Sequence, residues 1–129
     1  MPASDVLIET TILVDVLRGK PKAITRVNNL QTEGRWVSVV TFFELLTGCR
    51  NRREQSAVTQ EMEGYRILFL TEDVSRGALA WFERFHLSHG VGFLDSLIGA
   101  TALQRDLPIA TLNVKHFQSF PGLRVERPY

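Results

Sequence analysis

In the stretch Val6-Leu7-Ile8-Glu9-Thr10-Thr11-Ile12-Leu13-Val14-Asp15-Val16-Leu17-Arg18-Gly19, an apolar triplet gives way to a polar turn. Apolar residues at helical spacing then run on until a glycine stops them. Consecutive apolar residues without polar alternation read as a short strand buried on both faces, and the later spacing reads as an amphipathic helix. Strand, tight turn and helix are the repeating unit of a parallel sheet, and Glu9 falls at the carboxyl end of its strand. The unit recurs outward along the chain. Pro21 starts a second helix expected to reach about Thr32. Trp36-Val37-Ser38-Val39-Val40 reads as the second strand, with Thr41 the expected N-cap of the next helix and Glu44 at capping-box spacing from it. A polar helix is expected from about Glu54 to Gly64. Ile67-Leu68-Phe69-Leu70 is the third strand, and Thr71-Glu72-Asp73 starts a long helix through about Ser88, striped by Val74, Ala78, Trp81, Phe82 and Phe85. Phe93 to Arg105 or Asp106 forms the next helix, with Leu94, Leu97, Ile98 and Ala102 on its buried stripe and Asp95 and Ser96 in its first turn. Pro108-Ile109-Ala110-Thr111 is a fourth strand with Asn113 just past its end, and Leu123-Arg124-Val125 a short fifth at the edge. Continuous apolar strands joined by helices predict an α/β fold: a three-layer domain around a central parallel sheet of four to five strands.

Composition sets the outer bounds. With 129 residues, 44% hydrophobic and 22% charged, residues 1–129 are expected to form one domain around a sizeable core. Fifteen Lys and Arg against fourteen Asp and Glu leave a net charge of +1, so the overall field neither demands nor excludes nucleic acid. The single cysteine, Cys49, cannot form an internal disulfide and reads as a packed thiol. No apolar run approaches the roughly 20 residues of a membrane span, and Met1 to Asp5 lacks the features of a signal peptide; a soluble, cytoplasmic protein is expected. Lys20, Lys22 and Arg26 suit a solvated face or an edge that meets phosphates, and the run Arg50-Asn51-Arg52-Arg53 reads as a solvated turn. His86 and His89 lie three apart but have no third metal ligand nearby in sequence.

In an open parallel sheet, ligands bind beyond the carboxyl ends of the strands. That rule gathers Glu9, Glu44, Asn113 and the helix turn bearing Asp95 at one rim. Capping alone would account for Asp95, an N-cap, and for Glu44, the far half of a capping box. Together, three carboxylates at one rim repel one another unless a cation offsets them. Oxygen-only donors favour Mg²⁺ or Mn²⁺ over zinc, and a hard divalent ion beside Lys and Arg side chains suits phosphodiester hydrolysis.

Four ordered segments also resemble a known family. Leu7-Ile8-Glu9-Thr10-Thr11-Ile12-Leu13-Val14-Asp15 resembles the opening Asp-Thr-Asn-x-Leu-x-Asp segment of PIN-domain ribonucleases, particularly VapC-type toxins of bacterial toxin–antitoxin pairs. Ser38-Val39-Val40-Thr41-Phe42-Phe43-Glu44-Leu45-Leu46-Thr47-Gly48 is similar to their second motif, and Phe93-Leu94-Asp95-Ser96-Leu97-Ile98-Gly99-Ala100-Thr101-Ala102 to their third. Ile109-Ala110-Thr111-Leu112-Asn113-Val114-Lys115-His116-Phe117 is similar to the Thr-x-Asn-x-x-His-Phe ending. The resemblance implies a PIN fold, Mg²⁺- or Mn²⁺-dependent endoribonuclease activity on RNA, homodimerisation, and inhibition by a VapB-type antitoxin. It implies that Glu9, Glu44 and Asp95 are the catalytic, metal-holding carboxylates, with Asn113, Thr11 and Ser96 as supporting polar groups. The chain departs from the pattern where Glu9 replaces the usual Asp and Thr11 the usual Asn. Glutamate's extra methylene moves the carboxylate by roughly 1.5 Å, enough to disturb the near-octahedral geometry that Mg²⁺ demands. The rival reading is therefore a PIN-fold protein with weakened or lost nuclease activity that acts by binding RNA or antitoxin. A phosphatase-like or nucleotide-binding α/β domain fits less well, since no Gly-rich phosphate loop follows any strand.

Overall fold

A computed structural model describes residues 5–129. The elements follow the alternation read from the sequence: β1 Val6–Ile8, α1 Thr10–Leu17, α2 Pro21–Asn28, β2 Arg35–Ser38, α3 Val39–Thr47, α4 Arg52–Met62 and β3 Arg66–Leu68. After these come α5 Glu72–His89, α6 Phe93–Gln104, β4 Ile109–Ala110 and β5 Val125–Glu126. Short 3₁₀ turns occupy Thr32–Gly34 and Val114–His116. All strand pairings are parallel, in the order β3-β2-β1-β4-β5. The chain builds outward from β1 to β3, then returns to the other side of β1 with β4. The two connections leave β1 and β4 in opposite directions, which opens a crevice above their carboxyl ends, the usual ligand position in such sheets.

The pleat divides the core between two faces. Val6 and Ile8 point with Val37 and Ala110 to one side, where Ile12, Leu13, Ala23, Val27, Val58 and Met62 cover them from α1, α2 and α4. Leu7, Trp36 and Ile109 point to the other, beneath Phe85 of α5, Ile98 and Ala102 of α6, and Phe117 and Phe120 of the loop after β4. Each fully buried aliphatic side chain adds about 1.5–3 kcal/mol relative to exposure, so the three layers rest on this double covering. α3 lies across the boundary, with Leu45 in the first cluster and Val40 in the second. Helix α6 can approach the loop closely because position 99 has no side chain. A Cβ there would lie 2.9 Å from Phe120 Cδ2, whose ring stacks on Trp81 of α5 at 4.2 Å.

Several boundaries move from their expected places. β2 ends at Ser38, and α3 begins at Val39 with Ser38 Oγ accepting the Val40 N–H at 3.1 Å; Thr41 is therefore no cap but a fully buried residue of the first turn. A hydroxyl residue preceding a valine pair caps as well as one after it, and sequence alone does not choose between them. α2 stops at Asn28, four residues early, because Asn29 and Leu30 close a turn before the 3₁₀ segment. Phe69 and Leu70 fall outside β3 and are exposed. Asn51, not a later residue, caps α4 through Oδ1 to the Glu54 N–H. β5 lies slightly later than expected, at Val125–Glu126. No helix among the described residues is long and apolar enough to cross a membrane.

Candidate active site

Glu9 follows β1 directly and is the N-cap of α1, and its side chain reaches Thr111 beyond β4. It is 4% exposed. One carboxylate oxygen, Oε1, accepts from the Thr11 N–H at 3.2 Å, from the Thr11 hydroxyl, and from the Thr111 hydroxyl at 2.6 Å. Both hydroxyls are themselves acceptors for the loop after β4: Leu112 N–H donates to Thr11 Oγ1 at 3.0 Å and Asn113 N–H to Thr111 Oγ1 at 2.9 Å. The other oxygen, Oε2, takes no hydrogen bond from the described residues.

Glu44 enters from α3, half-buried, one helical turn further along than a capping box requires. Its Oε1 accepts from Thr10 Oγ1 at 2.7 Å, and Thr41 Oγ1 lies 2.9 Å from Thr10 Oγ1. The single Thr10 proton goes to Glu44, so Thr41 supplies the proton of the second bond. Burial pushes the Glu44 carboxyl above its ordinary value; the Thr10 hydrogen bond opposes this, and the negative charges of Glu9 and Asp95 reinforce it. Glu44 is therefore within electrostatic reach of both Glu9 and Asp95.

Asp95 is the third residue of α6, whose N-cap is Gly92, so capping does not explain it. Its Oδ2 meets Nδ1 of the exposed His116 at 2.9 Å. Burial raises the Asp95 carboxyl against the opposing pull of that imidazole. Ser96 is buried, and its hydroxyl donates to the Gly92 carbonyl at 3.2 Å, inside its own first turn. Asn113 is exposed, and it is its backbone N–H that engages the site, through Thr111. Sequence reasoning did not place Thr10, Thr41, Thr111 or His116 in the site. Thr111 and His116 stand inside the Thr-x-Asn-x-x-His-Phe segment, which was the available signal; the Thr10–Thr41 pair needed the packing of α1 on α3.

The donor chemistry suits a hard divalent cation: oxygens only, from carboxylates of which Glu44 lies in the field of the other two. Among the described residues, no three His, Cys, Asp or Glu side chains are drawn together closely enough to enclose an ion. Each carboxylate is instead engaged by a protein donor, at the threonines or at His116. Glu44 also borders a groove of about 550 Å³ between α1, α3 and α4, lined by Val14, Leu17, Arg18, Leu45 and Arg50 among others. At its far end Arg50 grips Glu54 with Nη2 to Oε2 at 2.7 Å. Cys49 is half-buried, with Sγ donating to the Leu45 carbonyl at 3.4 Å. His86 and His89 lie against Phe82 and Phe85, outside the rim.

Comparison with known proteins matches this arrangement to a family. The PIN domain family model covers residues 6–122. Ribonuclease VapC19 of Mycobacterium tuberculosis strain H37Rv is 40% identical over 123 residues, spanning 92% of this chain and 96% of that protein. Ribonuclease VapC10 of the same strain is 35% identical over 121 residues, spanning 92% and 90%. The solved structure of DNA-bound VapBC from Salmonella typhimurium superposes with a TM-score of 0.84 at 22% identity, covering 98% of this chain and all of that one. With the sheet order, the position of the rim and these relatives in agreement, the chain belongs to the PIN-domain family, among its VapC members.

Proposed function

We propose that this protein is a VapC-type endoribonuclease that requires Mg²⁺ or Mn²⁺, with Glu9, Glu44 and Asp95 as the catalytic carboxylates that hold the metal directly or through water. The observation that supports it is that the neighbouring Thr10 and Thr11 bond Glu44 and Glu9, two acids from different elements, with Glu44 also in the field of Asp95 from a third. The chemistry that a divalent ion would supply when held by these residues is positive charge for the phosphoryl oxygens and a more acidic water. The protein's own part is orientation. Thr10, backed by Thr41, fixes the rotamer of Glu44, and Thr11 and Thr111 fix Glu9. His116 holds Asp95 at the mouth of the rim. Asn113 supports through its backbone the threonine that Glu9 leans on. Arg18 and Arg50, in the groove beside Glu44, are placed to meet RNA phosphates.

The same groove, apolar along Val14, Leu17 and Leu45 and acidic at Glu44, suits a VapB-type antitoxin segment that brings apolar anchors and a basic side chain. The relative from Salmonella typhimurium was solved as a VapBC complex on DNA. The setting is cytoplasmic, with a homodimer as the working form. The test is cleavage of labelled RNA by purified protein with Mg²⁺, with Mn²⁺ and with chelator. Cleavage with either metal, lost on chelation and in Asp95→Asn and Glu44→Gln, is expected. Intact RNA under every metal condition, with RNA or antitoxin still bound, would return the chain to the binding-only reading.

A further inference from the structure

The geometry points to Thr11 as a positioning residue that makes the longer Glu9 serviceable: together with Thr111 it clamps one carboxylate oxygen and leaves the other to face the rim. The inference rests on the metal-dependent reading above. A hydroxyl has one proton and can give it in one direction. At Thr11 the acceptor side is taken by the Leu112 N–H, and at Thr111 by the Asn113 N–H, so both protons are directed onto Glu9 Oε1. The Thr11 backbone N–H adds a third donor to that same oxygen. Three donors on Oε1 and none from the described residues on Oε2 make Glu9 a one-oxygen ligand with its direction set in advance.

This arrangement suits glutamate and not aspartate. An aspartate at position 9 ends roughly 1.5 Å short, so it does not span to the hydroxyls of Thr11 in α1 and Thr111 beyond β4 as the glutamate does. Position 11 changes in the opposite sense. Threonine's hydroxyl is one atom nearer the backbone than the amide of the asparagine in the related motif, so the lengthening at 9 is matched by a shortening at 11. The two departures from the family pattern form one unit in this reading, in which Glu9 is a working ligand.

Manganese binding to the RNA-free protein, measured by isothermal titration and by electron paramagnetic resonance, tests this without relying on turnover. Removing a group that orients a metal ligand typically lowers metal affinity about 10–100-fold. Thr11→Val should weaken Mn²⁺ binding by about tenfold or more while circular dichroism stays unchanged, and Thr11→Ser should recover most of it. Glu9→Asp alone should bind more weakly than wild type, and Glu9→Asp with Thr11→Asn should regain affinity over Glu9→Asp. Wild-type affinity in Thr11→Val, or tighter binding in Glu9→Asp, overturns the clamp while leaving the nuclease reading intact. If Thr11→Val does not fold, the Glu9→Asp pair decides alone. Wild-type protein that takes up no Mn²⁺ refutes the metal-dependent reading, and the clamp with it.

Discussion

Glu44 shows what the rim costs the fold when no cation is present. Its carboxyl is held above the ordinary value of 4.5, first by burial and then by the charges of Glu9 and Asp95, against the Thr10 hydrogen bond. A folded-state pKa above the unfolded one gives stability that is complete below the unfolded value and lost as pH rises through the folded value. Chelated wild type should therefore be more stable just below pH 4.5 than at pH 7 as far as this group decides. Glu44→Gln should raise the metal-free melting temperature at pH 7, and the advantage should vanish on acidification. A differential scan of both proteins in chelator at the two pH values checks this; a gain that persists at low pH would contradict the assignment. Glu9 and Asp95 were legible as candidates because one follows a strand and the other stands in a helix's first turn, whereas Glu44 lies a turn deeper into α3 than its spacing from Thr41 implied. Their holders were less so. Thr10 and Thr41 lie 31 residues apart and meet only through the packing of one helix on another, which no local pattern announces.

At the scale of elements, alternation of apolar runs and helical stripes sufficed to place every strand and helix. Boundaries shifted where two capping residues competed, as at Ser38 and Thr41, or where an apolar run outlasted its pairing, as at Phe69-Leu70. The contact that sequence could not reveal is the seat of α6 against Phe120. Substituting Gly99 brings a methyl 2.9 Å from the Phe120 ring and 3.3 Å from Trp81, which stacks on that ring from the other helix. Overpacked cores typically lose about 1–3 kcal/mol, so Gly99→Ala should lower stability by about that amount and Gly99→Val by more. Urea denaturation with an unchanged slope is the measurement. Because α6 carries Asp95 at its first turn, the displaced helix should also lose cleavage activity beyond the loss of folded protein.

The whole molecule is closed by its last residues. Arg26 of α2 pairs with Glu126 of β5 at 2.6 Å, and the Tyr129 hydroxyl donates to Asp15 Oδ2 at 2.9 Å across 114 positions of sequence. Asp15 is 7% exposed, with Lys20 at 3.6 Å as its other partner. Leaving a buried acceptor short of a donor costs about 1–3 kcal/mol, so Tyr129→Phe should lower the urea midpoint measurably while RNA cleavage at saturating metal stays close to wild type. The sheet order carries a further consequence, for the chain during its synthesis. β1 is made first, yet it is the middle strand, and the hydroxyl of Thr111 that holds Glu9 belongs to a residue 102 positions later. At about 5–20 residues per second, a growing chain carries Glu9 with only the local Thr11 bonds, and β1 without β4, for the 102 positions that separate Glu9 from Thr111. A nuclease built on this order stays unassembled beside the machinery that makes it until β4 has emerged.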